Sequence, residues 1–172
     1  MYHREIRKTT PEEIGLGANA IVEISAVHFT NQILLHLRLN GELDTTYEVV
    51  PKGLPVDDLD PPPIAGTSSF TNDSLQIEDE DYVSVKDNLS NYHVVTRLGD
   101  SNDMKLPIVC TQIAELYQRI ITPSNIDGFS QDISKRGLVI TMSAKIWRKC
   151  RPGYDFHALV FILQSIKEMY NL

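Results

Sequence analysis

Cysteine is scarce in this chain. Only Cys110 and Cys150 occur among 172 residues, neither in a Cys-x-x-Cys pair. That is too few for a disulfide framework and fits a reducing compartment, the cytosol or the nucleus. Long apolar runs are missing as well: nothing approaches the roughly 18 consecutive apolar residues of a membrane span. Met1 to Thr10 is polar and basic and lacks the apolar stretch of a secretory signal. Excess basic charge is absent too. The 16 basic residues are outnumbered by 23 acidic ones, for a net charge of -7, which disfavours nucleic acid as a partner.

Signatures of chemistry are equally thin. Gly15-Leu16-Gly17 supplies two glycines, short of any phosphate-binding loop, and no Gly-x-Ser-x-Gly elbow exists. His28 and His36 fall on neighbouring strand segments, but no cysteine or third histidine completes a zinc set, so both read as ordinary sheet residues. Glu78 to Asp81 lacks the alternating carboxylates and glycine of a calcium loop. Cys110 reads as a buried structural thiol. Cys150, between Lys149 and Arg151, reads as an inert thiol before a reactive one. No metal, cofactor or catalytic residue is therefore expected, and the chain reads as a binding protein.

What is present is a core. Hydrophobic residues make up 42% of the chain, and its length fits one domain. Charge is unevenly placed. Between Asp57 and Asn91 stand nine acids and the single base Lys86, so this segment carries -8 and the remainder +1. With Pro61-Pro62-Pro63 within it, the segment reads as a mobile acidic loop at about 55–89.

Periodicity sets the elements. Residues 1–19 read as a polar lead. Thr10-Pro11-Glu12-Glu13 resembles a capping box that Gly15 and Gly17 cut short, giving a frayed turn or disorder. Period-two patterns predict strands over 21–28, 33–39 and 45–50, with Asn40-Gly41 as a turn, and the three read as an antiparallel meander. Tyr92 to Leu98 is a fourth strand. Val109, Ile113, Leu116 and Ile120 make one helix stripe, starting at Pro107, with Glu115 and Arg119 as an exposed pair. Leu138 to Trp147 alternates throughout and reads as one strand. In the last helix Asp155 is the N-cap, and Leu159, Leu163, Ile166 and Tyr170 form the stripe, widened by Phe156, Val160 and Met169. The expected fold is α+β: an antiparallel sheet, a meander plus later strands, packed with two main α-helices. Residues 20–172 form the single domain.

One constellation points to a partner. Lys145-Ile146-Trp147-Arg148-Lys149-Cys150-Arg151 holds four bases, no acid and the only tryptophan. Lys145, Trp147, Arg148 and Lys149 are the candidate partner-binding residues, because Trp and Arg are enriched in interface hot spots. The alternative is that Trp147 packs beneath a helix and the bases decorate a strand end.

Several stretches resemble a known family. They are His28-Phe29-Thr30-Asn31-Gln32-Ile33-Leu34-Leu35, then Leu37-Arg38-Leu39-Asn40-Gly41-Glu42-Leu43-Asp44 and Thr46-Tyr47-Glu48-Val49. Further on come Tyr92-His93-Val94-Val95-Thr96-Arg97-Leu98-Gly99-Asp100-Ser101, the helix from Pro107 to Tyr117, Met142-Ser143-Ala144-Lys145-Ile146-Trp147, and Phe161 to Tyr170. Together, over about 20–54 and 86–172, they resemble the larger subunit of the fungal heterodimeric proteasome assembly chaperone, the counterpart of the third mammalian proteasome assembly chaperone. The resemblance implies a smaller homologous partner subunit, binding to α-type subunits of the core proteasome, and promotion of α-ring assembly without ATP. It implies no catalytic residues. The competing readings are a small enzyme or ligand-binding domain with an unrecognised pocket, and an adaptor for another complex.

Overall fold

The computed structural model describes residues 1–17, 19–52, 91–122 and 136–172. The acidic loop expected at about 55–89 lies outside the described residues, as does most of the polar loop before the last strand.

Six strands of the described residues form one sheet: β1 (Tyr2–Thr9), β2 (Ile21–His28), β3 (Gln32–Leu39), β4 (Thr45–Pro51), β5 (Tyr92–Leu98) and β6 (Gly137–Met142). Among the described residues three helices accompany it: α1 (Lys105–Leu116), which runs on into a π-helical turn at Tyr117–Ile121, the short α2 (Lys145–Arg148) and α3 (Asp155–Met169). The α+β class stands. The purely antiparallel sheet and the meander do not, because the spatial order is β1-β2-β3-β6-β4-β5 and β3 pairs with β6 in parallel, Ile33 opposite Leu138 and Leu37 opposite Met142. The sheet is mixed. Asn40 and Gly41 do turn, with φ of 51° and 83°, the left-handed values that favour this dipeptide. They do not close a β3–β4 hairpin, however. The chain swings wide enough for β6 to enter between the two strands. Thr45 Oγ1 donates to the Met142 carbonyl at 3.0 Å, and the Ala144 N–H donates to Asp44 Oδ1 at 2.7 Å, which fastens β6 beside β4.

Residues 2–9, within the segment read as a polar lead, form a strand that the sequence reading did not assign. They pair with β2 along their whole length, from Tyr2 opposite His28 to Thr9 opposite Ile21. Being an edge strand, β1 exposes most of its side chains, and its charged sequence is of the kind that discourages edge-to-edge association. Thr10 caps no helix: its hydroxyl donates to the Ala20 carbonyl at 3.1 Å. Only a single 3-10 turn, Glu12–Ile14, follows Pro11, and Gly15 ends it with φ of 75°.

Two further readings change. The strand expected to run to Trp147 stops at Met142. Ser143 and Ala144 turn the chain, and Lys145–Arg148 coil into α2, because Ser143 spends its N–H on the Leu37 carbonyl and Ala144 starts i→i+3 and i→i+4 bonds to Trp147 and Arg148. On α3 the buried stripe is Ala158, Ile162, Ser165, Ile166 and Met169, displaced from the larger side chains Leu159, Leu163 and Tyr170, which are only half-buried. Small residues face the sheet so that the helix can approach it closely. Asp155 is the first helical residue rather than the N-cap, a place held by Tyr154.

The core lies between the sheet and the helices. Ile24, Leu35, Leu37, Ile140 and Met142 on the strands meet Leu106, Ile113, Ile162 and Ile166 on the helices. The opposite face carries Glu23, Ser25 and Val27 on β2, Leu34, His36 and Arg38 on β3, Val139 and Thr141 on β6, and Thr46 and Glu48 on β4, all half-buried. No helix of the described residues covers it.

Candidate interaction surfaces

The chemistry-bearing residues are dispersed. Among the described residues no three His, Cys, Asp or Glu side chains gather where they could hold a metal ion. His28 and His36 project from opposite faces of the hairpin, which separates them. His28, 3% exposed, lies on the helix side, where its ring stacks on Tyr2 at 4.2 Å and hydrogen-bonds the Tyr170 hydroxyl. Burial, helped by the nearby Arg136 charge, pushes its pKa down to about 4. His36 is on the uncovered face, also depressed by burial and then by Arg38. Cys110 is wholly buried and its thiol is pushed far up. Cys150 is raised to about 11, first by burial and then by its 3.1 Å hydrogen bond to Asp155, the opposite of a reactive thiol.

Hollows are small or shallow. One, of about 20 Å3, lies by Tyr92, Tyr117, Gln118 and Arg136 and has room for about one water molecule. Another, of about 380 Å3, is a polar depression on the uncovered sheet face between Glu5, Arg7, Glu23, Ser25 and Arg38.

The basic segment is split by the turn into α2. Trp147 is 3% exposed; it points inward with Ile146, on the side of α2 that meets α3. Of the two readings, packing beneath a helix is the one realised, and an exposed Trp147 anchor is corrected. Lys145 is drawn to Glu42 on the loop before β4. Arg148 reaches Asp103 at 3.2 Å and Asp100 at 3.9 Å, ahead of α1. Lys149 is exposed and makes no ion pair among the described residues.

The sequence reading missed the apolar side chains that do face solvent. Phe156 is 69% exposed, Met104 84% and Ile108 53%. Ile108 carried a signal: it falls off the Val109–Ile113–Leu116 stripe. Phe156 carried none, because a widened stripe absorbs it.

The family of 20S proteasome chaperone assembly proteins 3 and 4 matches residues 1–167. This chain belongs to that family. It is 48% identical over 157 residues to Proteasome chaperone 3 of Saccharomyces cerevisiae, covering 88% of this chain and 86% of the relative. The fold is also similar to a chain of a solved yeast complex described as a novel chaperone complex for 20S proteasome assembly. There the TM-score is 0.65 and the identity 41%, over 99% of each chain. Among the described residues no helix is long and apolar enough to cross a membrane.

Proposed function

We propose that the protein is an assembly chaperone of the core proteasome. It pairs with a smaller homologous subunit, binds α-type subunits and promotes correct α-ring assembly through surface contacts alone, with no catalytic step, no cofactor and no ATP. It works in the cytosol or the nucleus. The chaperone domain spans 20–172, with the acidic loop as an insertion, and β1 extends its sheet.

The observation that carries this reading is family membership along nearly the whole chain, joined to a sheet with one face that no helix of the described residues covers. That face suits a subunit of the same fold. Its apolar centre, Leu34 beside Val139 across the β3–β6 pairing, is bordered by charges already matched within the face, Arg7 to Glu23 at 3.3 Å and Arg97 to Glu48. Paired charges at the rim cost less to bring together than single ones, and the apolar centre gains by losing water. The test is co-expression with candidate smaller subunits, followed by native mass measurement and pull-down of purified α-type subunits. A one-to-one heterodimer that captures an α-type subunit is the expected result. A monomer that holds a small metabolite and no subunit would overturn it.

A further inference from the structure

The uncovered face carries a titratable side chain near its middle. His36 stands half-buried on β3, third in the order β1-β2-β3-β6-β4-β5. Register places it in a polar row that crosses five strands: Glu5 opposite Ser25, Ser25 opposite His36, His36 opposite Thr141, and Thr141 opposite Thr46. The adjoining row is the apolar centre, with Val27 opposite Leu34 and Leu34 opposite Val139. Residues two apart on one strand share a face about 7 Å from each other. A partner that dries Leu34 therefore lies over His36 as well.

The groups around the ring favour its neutral form. Arg38, two residues along β3, is on the same face; burial, and then this charge, already lower the His36 pKa in the isolated chain. On β2 the residue opposite is Ser25, whose hydroxyl accepts from Arg38 at 3.5 Å, and Glu23, opposite Arg38, is engaged by Arg7 at 3.3 Å. On β6 the residue opposite is Thr141, which shares a 3.2 Å hydrogen bond with Thr46 on β4. Glu5 lies a strand further off, beyond Ser25. No carboxylate stands directly opposite His36 on either neighbouring strand. His28, on the covered face of the same strand pair, shows what closure does to such an imidazole: at 3% exposure its pKa is down to about 4.

We propose that His36 makes pairing with the smaller subunit proton-sensitive: the heterodimer covers the imidazole and admits it only uncharged, so acid separates the two subunits. This rests on the pairing through the uncovered face set out above. The smaller subunit then lays apolar or uncharged groups over the His36 and Leu34 rows, and no carboxylate. A ring covered in the heterodimer holds its proton less tightly than the ring of the free chain. Affinity is thus complete above the free chain's pKa, itself below 6.5, and falls as the pH drops beneath it, by at most about tenfold per pH unit.

The test uses the full chain and its smaller subunit. Heterodimer affinity is titrated at pH 7.5 and pH 5.5, at one ionic strength, for the wild type and for His36→Gln. The His36 ring is followed by NMR in the free wild-type chain and in the wild-type heterodimer. Wild-type affinity should fall at least about threefold at the lower pH and that of His36→Gln by less than about twofold. Pairing should move the titration of the wild-type ring to lower pH. Affinity that holds or rises in acid overturns the proposal, since the ring then stays in water or meets a carboxylate of the partner. An equal acid loss in His36→Gln, or a ring that titrates alike free and paired, overturns it too. Each of these leaves the chaperone reading intact, because the heterodimer still forms at pH 7.5. If His36→Gln does not pair, the wild-type ring decides alone. Absence of any heterodimer at pH 7.5 overturns both readings.

Discussion

The two faces of the sheet are made from the same strands and obey different rules. On the helix side, alternate residues of β2, β3, β4 and β6 are buried and almost all apolar, and they interlock with three helices. On the other side, the intervening residues mix Leu34 and Val139 with His36, Arg38, Thr141 and Glu48, and all stay half-exposed. The first face holds the fold together. The second is tolerable in a monomer because it carries two lateral ion pairs, Arg7 with Glu23 and Arg97 with Glu48, and it gains from being covered. Stability and assembly should therefore be separable one residue at a time along a single strand.

The largest effect is expected on β6. Ile140 is wholly buried and Thr141, its neighbour, is on the uncovered face. Ile140→Ala removes core atoms that the surroundings refill only in part, and should cost about 3 kcal/mol in urea unfolding. Thr141→Ala should stay within about 0.5 kcal/mol. Equal costs would mean that the two faces are not divided in this way.

A smaller effect separates the two histidines. His28 on the covered face titrates at about 4, below its ordinary 6.5, because burial disfavours the imidazolium. The unfolded chain then binds the proton more tightly than the folded one. Stability contributed by neutral His28 is complete above pH 6.5 and is lost as the pH falls towards 4, by on the order of 2–3 kcal/mol. His28→Gln should flatten that slope in unfolding measured from pH 7 to 4. His36→Gln should flatten it less, since burial and Arg38 depress its pKa in the same direction as that of His28 but by a smaller amount. A steep acid loss surviving in the His28 variant would put the proton-linked group elsewhere.

On the uncovered face, Leu34→Asp should spare the denaturation midpoint of the isolated chain and weaken heterodimer formation at least about tenfold by titration, roughly 1.4 kcal/mol. A variant that unfolds and pairs in step would merge the two faces into one energetic unit.

Much of the covered face is legible in the sequence. β2, β3 and β4 announce themselves because Val22, Ile24 and Ala26, or Leu35, Leu37 and Leu39, alternate with polar residues. Neighbour relations are not legible. The alternation of β6 is the same whether it pairs in parallel with β3 or antiparallel with a hairpin partner, and the choice is made by contacts such as Thr45 to Met142, distant in sequence. β1 escapes because an edge strand with Ile6 as its one packed apolar side chain has no stripe to read. Trp147 misleads for a related reason: alternation over Leu138–Met142 continues by accident into α2, where Ile146 and Trp147 can both point inward because a helical turn, unlike a strand, puts neighbours within 100° of each other. Of the basic candidates, Lys149 remains outward, while Arg148 turns out to belong to the packing of α1.

That last role gives the smallest predicted effect. Asp103 Oδ1 accepts the backbone N–H groups of Lys105 and Leu106 at 2.9 and 3.0 Å, and Oδ2 receives Arg148 at 3.2 Å. Burial works against its ionisation, but the Leu106 N–H, the Arg148 guanidinium and the Lys105 N–H outweigh it and hold its pKa below the ordinary value. One carboxylate thus starts α1 two residues ahead of Pro107 and ties it to α2. Asp103→Ala removes the cap and should cost about 1 kcal/mol in unfolding. Asp103→Asn keeps an acceptor for the N–H groups and should recover more than half. Recovery of less than half would show that the charge Asp103 shares with Arg148, rather than the N–H acceptors alone, holds this corner.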